Sequence, residues 1–258
     1  MFSSSVLRWS ALLLAVTAAA AATATAAAAA TELEVEWTTP KQAGQAVPSV
    51  SLQTRTRVAP AADSAPENPF DWKTVTTADL FANKRVVLFS VPGAFTPTCS
   101  NSHLPAYEAA YSEITAAASA TATAPGSPGS SLGVDDVYCL SVNDAFVMRQ
   151  WGLSQGLPED KTPGSLGFRN TKLLPDGAAA FTRGMGMSVR WDETERGFGE
   201  RSWRYSMVVD NGVIEKIFVE QPIVQNSGPD PFEVSDAATM LDYLKSAAAD
   251  KVKRKEEL

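Results

Sequence analysis

Arg85-Val86-Val87-Leu88-Phe89-Ser90-Val91 and Val137-Tyr138-Cys139-Leu140-Ser141-Val142 are near-continuous apolar runs of strand length. A strand that is apolar on both alternating sides must be covered on both faces, so each run predicts a strand inside a sheet. Between them Leu104, Tyr107, Tyr111 and Ile114 recur at helical spacing. Strand, helix and strand in that order make a crossover, which favours parallel pairing.

Beyond the second run, Asn143-Asp144 offers a cap to a helix carrying Phe146, Val147 and Trp151, and a polar Gly/Pro-rich stretch follows. Tyr205 to Val209 alternates, passes through Asp210-Asn211-Gly212 and leaves through Val213 to Val219. The Asn-Gly pair tolerates the positive φ angles of a tight turn, which predicts a hairpin. Ser235, ahead of Ala237, Met240, Leu241 and Leu244, predicts a capped amphipathic helix. The order β-α-β, α, β-β-α predicts an α/β domain of thioredoxin-like fold, a central mixed sheet flanked by helices.

Composition narrows the chemistry. The 258 residues carry a net charge of -7, with 45% hydrophobic and 20% charged positions. That balance suits a soluble, mildly acidic protein and leaves no basic surplus for nucleic acid. One His and two Cys cannot make a tetrahedral Cys/His zinc site, so no metal is expected, and no C-x-x-C pair is present for dithiol exchange. A phosphate loop, a complete G-x-G-x-x-G and a G-x-S-x-G elbow are all missing.

The ends read as addresses rather than core. Met1 to Thr31 holds one charge, Arg8, with an apolar run from Ala11 to Val16 and only Ala and Thr from 17 to 31. It has the layout of a secretory signal peptide, and the run is too short to span a bilayer. An Ala/Thr extension or an organelle transit peptide shares this composition, which keeps plastid and mitochondrial destinations open. Lys255-Glu256-Glu257-Leu258 is similar to an endoplasmic-reticulum retention signal, pointing to the lumen. A predicted leader and linker thus occupies 1–44, the folded domain 45–247 and a charged tail 248–258. Thr115 to Ser131, all Ala, Ser, Thr, Pro and Gly, reads as a low-complexity insertion within the domain.

The first apolar strand leads into Pro92-Gly93-Ala94-Phe95-Thr96-Pro97-Thr98-Cys99. Thr96 is a good N-cap and Pro97 suits the first helical position, which puts Cys99 at the third. Unpaired amides and the positive end of the helix dipole there favour thiolate over thiol.

Pro92, Thr96 and Cys99 form P-x-x-x-T-x-x-C, and the run PGAFTPTCSNSHLP from Pro92 to Pro105 resembles the peroxiredoxins of the atypical, type II class. The resemblance continues through Val137-to-Met148, Ser202-to-Asp210 and Pro231-to-Leu241, covering roughly Gln45 to Ala247. It implies a thiol peroxidase, without cofactor, that reduces hydrogen peroxide and organic hydroperoxides through a sulfenic acid on Cys99. It also implies that Thr96 hydrogen-bonds thiolate and peroxide, that Pro92 shields the site, and that Arg204 orients the peroxide, with Arg201 as the alternative arginine. The backbone amides of Thr98 and Cys99 would complete an anion nest.

His103, four residues past Cys99, is a candidate modulator or proton donor, or else a structural hydrogen-bonding group. Cys139 sits mid-strand, where a Cys is usually a small hydrophobe, though a resolving role stays open. The mammalian members resolve the sulfenate with a Cys in the later loop, where this chain has Phe232-Glu233-Val234. That departure implies an external thiol, glutathione with glutaredoxin or thioredoxin. The block GERSWRY from Gly199 to Tyr205 is similar to the peroxiredoxin half of bacterial peroxiredoxin-glutaredoxin fusions. Relatives in this class imply a homodimer. A redox-regulated chaperone or peroxide sensor is the alternative activity.

Overall fold

The computed structural model describes residues 39–59, 69–115, 133–193 and 197–256. The predicted leader over 1–31, residues 116–131 of the insertion and Glu257-Leu258 of the tail lie outside them. In chain order come β1 (Ser51–Arg57), β2 (Phe70–Thr76), α1 (Thr77–Phe81) and β3 (Arg85–Val91). A π-helical turn over Cys99–His103 runs into α2 (Leu104–Thr115), followed by β4 (Asp136–Ser141) and α3 (Ala145–Ser154). The polar Gly/Pro-rich stretch holds β5 (Lys172–Pro175), α4 (Ala180–Gly184), β6 (Ser188–Trp191) and β7 (Gly199–Ser202). The hairpin β8 (Tyr205–Asp210) and β9 (Val213–Val219) and the helix α5 (Ala237–Glu256) complete it.

β3 is buried along its whole length, as its apolar run requires. It sits in the middle of a five-stranded sheet ordered β5-β4-β3-β8-β9. β3, β4 and β5 run parallel, while β8 lies antiparallel to β3 and β9 antiparallel to β8, which makes the sheet mixed. Asn211 and Gly212 take φ of 47° and 79° at the hairpin turn, the left-handed values the Asn-Gly pair predicts.

Strand alternation divides the core in two. Val86 and Leu88 face one cluster with Leu140, Met207, Phe181, Trp191 and Trp203. Val87, Phe89 and Val91 face the other, with Cys99, Leu104 and Tyr107, then Met148 and Trp151 of α3 and Met240 and Leu244 of α5. The fully buried Trp151 also donates its indole N–H to Ser100 Oγ at 3.0 Å, tying α3 to the π-turn. Truncating so large a buried ring to Ala would cost about 3–5 kcal/mol.

Two helix starts show how competing bonds decide a cap. Asp144 caps α3 as predicted, its carboxylate accepting from the amides of Phe146 and Val147. At α5 the cap is Asp236, whose Oδ1 accepts from the amides of Ala238 and Thr239, and Ser235 is displaced from that role. The Ser235 hydroxyl instead donates to the buried carboxylate of Glu220 at 2.7 Å, a stronger, charge-assisted acceptor.

Candidate active site

The segment from Pro92 to Thr98 carries the chain from the end of β3 to the π-turn, with Pro92 and Gly93 buried. Asn143 holds it from the neighbouring strand end: its Oδ1 accepts from the Ala94 amide at 3.0 Å and from the Ser141 hydroxyl at 2.7 Å. Phe95 takes a φ of 63° and is exposed. A left-handed bulky residue stores strain, which the bonds around it must hold.

The amide of Ser100 donates to the carbonyl of Thr96 at 3.0 Å, an i to i−4 bond, and Thr98 is already helical at φ -61° and ψ -40°. Thr96 is therefore the residue at which the helix opens, and Cys99 is the third one in. The amides of Thr98 and Cys99 belong to the first turn, where the helix itself supplies no acceptor. Beyond Cys99 the helix widens: Leu104 donates its amide to the Cys99 carbonyl, five residues back. Among the described residues no amide donates to the Thr96 hydroxyl, which instead donates to the Gly93 carbonyl at 2.8 Å and closes the loop.

Cys99, His103 and Arg204 are all buried, and Arg204 joins them. Its Nη2 lies 3.6 Å from Cys99 Sγ and its Nη1 lies 3.0 Å from His103 Nδ1. Both carboxylate oxygens of Asp230 accept from Nη2 at 2.6 Å. Nε of Arg204 is buried without a partner among the described residues. Burial works against the charge of Arg204, but Cys99 and then Asp230 outweigh it, and its pKa stands above the ordinary arginine value. Arg201 makes no such sulfur contact. Its Nε donates to the Phe198 carbonyl at 3.0 Å, its Nη1 lies against Gly93, and burial lowers its pKa against the opposing pull of Cys99.

A guanidinium offers only donors, so His103 Nδ1 must accept from Arg204 and Nε2 must carry the proton, which it donates to the Ser235 carbonyl at 3.1 Å. Burial, and then the positive charge of Arg204, push the His103 pKa well below the usual range. A neutral imidazole with both nitrogens engaged is placed to hold Arg204, not to release a proton.

Cys139 is a free thiol in mid-β4, opposite Phe89 and fully buried. Burial pushes its pKa well above the usual thiol value, and the nearby Cys99 adds to the shift.

Two residues of this arrangement escaped the sequence reading. Glu220, 1% exposed, follows β9; its Oε1 accepts from the amides of Glu233, Val234 and Ser235 at 2.9–3.0 Å as well as from the Ser235 hydroxyl. It thereby fastens the segment that brings Phe232 to within 4.8 Å of the His103 ring and Asp230 onto Arg204. The sequence signal for Asp230 was its place between Pro229 and Pro231, which restricts the backbone there.

The family model described as Redoxin matches residues 42–123 and 127–241. Peroxiredoxin sll1621 of Synechocystis is 50% identical over 206 residues, covering 80% of this chain and 92% of that protein. The hybrid peroxiredoxin hyPrx5 of Haemophilus influenzae is 44% identical over 201 residues, covering 78% of this chain and 65% of its own length. Among solved structures, reduced Prx3 from Vibrio vulnificus in complex with hydrogen peroxide aligns with a TM-score of 0.56 and 34% identity, covering 79% of this chain and 99% of that one. With a thioredoxin-like sheet beneath it and this breadth of agreement on either side of Cys99, the chain belongs to the redoxin family and, within it, to the peroxiredoxins, the thiol peroxidases that reduce peroxides.

Proposed function

We propose that Cys99 is the peroxidatic thiolate and that Arg204 is the cation that aligns the peroxide with it. The observation that carries this reading is Arg204 Nη2 at 3.6 Å from Cys99 Sγ, beside a buried Nε–H with no partner among the described residues. A peroxide entering there meets a nucleophile and a free donor together, which converts encounter into alignment. The sulfur attacks the terminal oxygen of R–O–O–H, the S–O bond forming as the O–O bond breaks. Two electrons pass from sulfur to peroxide, and the leaving alkoxide or hydroxide takes a proton and departs as alcohol or water. Sulfur is left as the sulfenic acid.

Negative charge moves from sulfur to the leaving oxygen during this step. Arg204 and the amides of Thr98 and Cys99 are the fixed donors for that charge, which require no reorganisation as it develops. Thr96 takes its part by turning its hydroxyl from Gly93 to the peroxide oxygens, and buried Pro92 closes the floor of the site.

The sulfenic acid is resolved by an external thiol. Phe232-Glu233-Val234 supplies no sulfur, and Cys139 is a packing residue whose burial keeps it in the thiol form. Glutathione, with glutaredoxin to clear the mixed disulfide, is the favoured reductant. Cys99 is fully buried, which admits a small peptide thiol more readily than a protein-borne dithiol such as that of thioredoxin. Similarity to a hybrid peroxiredoxin points the same way. The test is peroxide consumption by the purified protein supplied in parallel with glutathione and glutaredoxin, or with thioredoxin and its reductase. Turnover with thioredoxin alone would reverse the choice of reductant, and consumption by Cys99→Ser would remove the whole reading.

A further inference from the structure

We propose that Asp230 is a positioning residue for the peroxide step, a permanent counter-ion that holds Arg204 in place while the charge on Cys99 comes and goes. The proposal rests on the assignment of Cys99 and Arg204 above.

Arg204 is 1% exposed, and a cation taken so far out of water needs a charged or well-bonded partner. Its partners differ in kind. His103 Nδ1 is neutral and engages Nη1 alone. Cys99 offers a negative charge only as thiolate; once oxygen is transferred, the sulfenic acid is neutral. Asp230 is the one carboxylate paired with Arg204 among the described residues, with both oxygens 2.6 Å from Nη2. In the oxidised state the guanidinium thus keeps Asp230 as its counter-charge. Without it, the buried cation would have a neutral imidazole and a neutral sulfur, and turning toward water would be its cheapest response.

The placement of Asp230 is built, not incidental. Glu220 gathers the amides of residues 233 to 235 onto one oxygen, so the segment that carries Asp230 is anchored to the residue that leaves β9 beside Arg204. The backbone completes the link: Glu220 donates its amide to the Arg204 carbonyl at 3.2 Å, and Trp203 donates its indole N–H to the Glu220 carbonyl at 2.7 Å. His103 from the π-turn and Asp230 from this opposite segment grip different amino groups of one planar guanidinium. Two such points fix its plane, and Nε–H is left buried without a partner among the described residues.

The experiment compares two reactions of Cys99. Oxidation by hydrogen peroxide needs an aligned donor for the leaving oxygen, whereas alkylation by iodoacetamide has no oxygen leaving group. Stopped-flow oxidation and alkylation rates are measured for wild type, Asp230→Asn, Asp230→Ala, Arg204→Lys and the double variant Arg204→Lys/Asp230→Asn, with thermal melts of each. Both Asp230 variants are expected to lose about ten-fold in oxidation rate while alkylation stays within about two-fold. The double variant is expected to be no slower than Arg204→Lys alone, the non-additivity of two residues acting through one contact. Oxidation within two-fold of wild type in Asp230→Asn, a parallel fall in both reactions, or failure of both Asp230 variants to fold would each overturn the proposal. If Arg204→Lys itself oxidises at the wild-type rate, the assignment of Arg204 fails first. If it slows and the Asp230 variants do not, only the role of Asp230 falls.

Discussion

His103 Nδ1 accepts a hydrogen bond from Arg204 Nη1 at 3.0 Å, and that single bond fixes the protonation state of the only histidine in the chain. Protonating Nδ1 would set two cations' donors against each other in a buried space, which is why burial and Arg204 both lower its pKa from 6.5. The unfolded chain takes up this proton as the pH falls below about 6.5, while the folded chain does not. The neutral ring therefore contributes stability above that pH, and the contribution is lost on acidification at about 1.4 kcal/mol per pH unit until the folded pKa is reached. Urea unfolding at pH 7.0 and 5.5 is expected to show wild type losing about 1–2 kcal/mol more than His103→Gln, which has no ring to titrate. Equal losses in the two proteins would mean that His103 is protonated in the fold.

The two cysteines are predicted to behave oppositely. Cys99→Ser should abolish peroxide reduction, since only Cys99 meets Arg204 and the open end of a helix. Cys139→Ala should keep most of the turnover while losing about 1–2 kcal/mol of stability to the small cavity it leaves in the core. Turnover lost in both folded variants would restore an intramolecular disulfide cycle between them.

Glu220 is expected to matter for rate as well as stability. Replacing it with Gln keeps the shape but removes the charge that four donors share. The expected cost is about 1.5–3 kcal/mol, the range for hydrogen bonds to a charged group. Because the segment also places Asp230 and Ser235 against Arg204 and His103, oxidation of Cys99 by peroxide should slow in the folded variant as well. A drop in the melting temperature with an unchanged oxidation rate would show that the segment is anchored independently of the site.

What the sequence made legible follows from how locally each feature is encoded. β3, β4 and the β8-β9 hairpin are continuous or alternating apolar runs, and Asn211-Gly212 marks its own turn. β1 is hidden because Thr54 and Thr56 take buried positions beside Leu52, so the alternation reads as polar. β5, β6 and β7 have four residues each, too few for a period to declare itself against their Gly/Pro-rich surroundings. Cys99, Thr96 and Arg204 stand in recognisable blocks. Glu220 and Asp230 look like solvated acids in a loop, and only the folded geometry brings Glu220 onto the amides of residues 233 to 235 and Asp230 onto Arg204. The π-turn was equally hidden, since five-residue hydrogen bonding leaves no compositional mark.

The space above Gly93 is crowded. A Cβ there would stand 3.0 Å from Arg201 Nη1 and 3.1 Å from the Thr96 methyl, both tighter than ordinary contact. Arg201 can yield by turning its long side chain. Thr96 cannot yield so easily, because its branched Cβ has few rotamers and its hydroxyl is tied to the Gly93 carbonyl at 2.8 Å. Gly93→Ala is therefore expected to cost less than about 1 kcal/mol in stability yet slow Cys99 oxidation several-fold, by displacing Thr96. Thr96→Ser removes the crowded methyl and keeps the hydroxyl, so adding it to Gly93→Ala should recover most of the rate. Adding Arg201→Ala should not. Recovery with Arg201→Ala instead would place the strain on the arginine, and a Gly93→Ala enzyme as fast as wild type would show that Thr96 needs no fixed position at all.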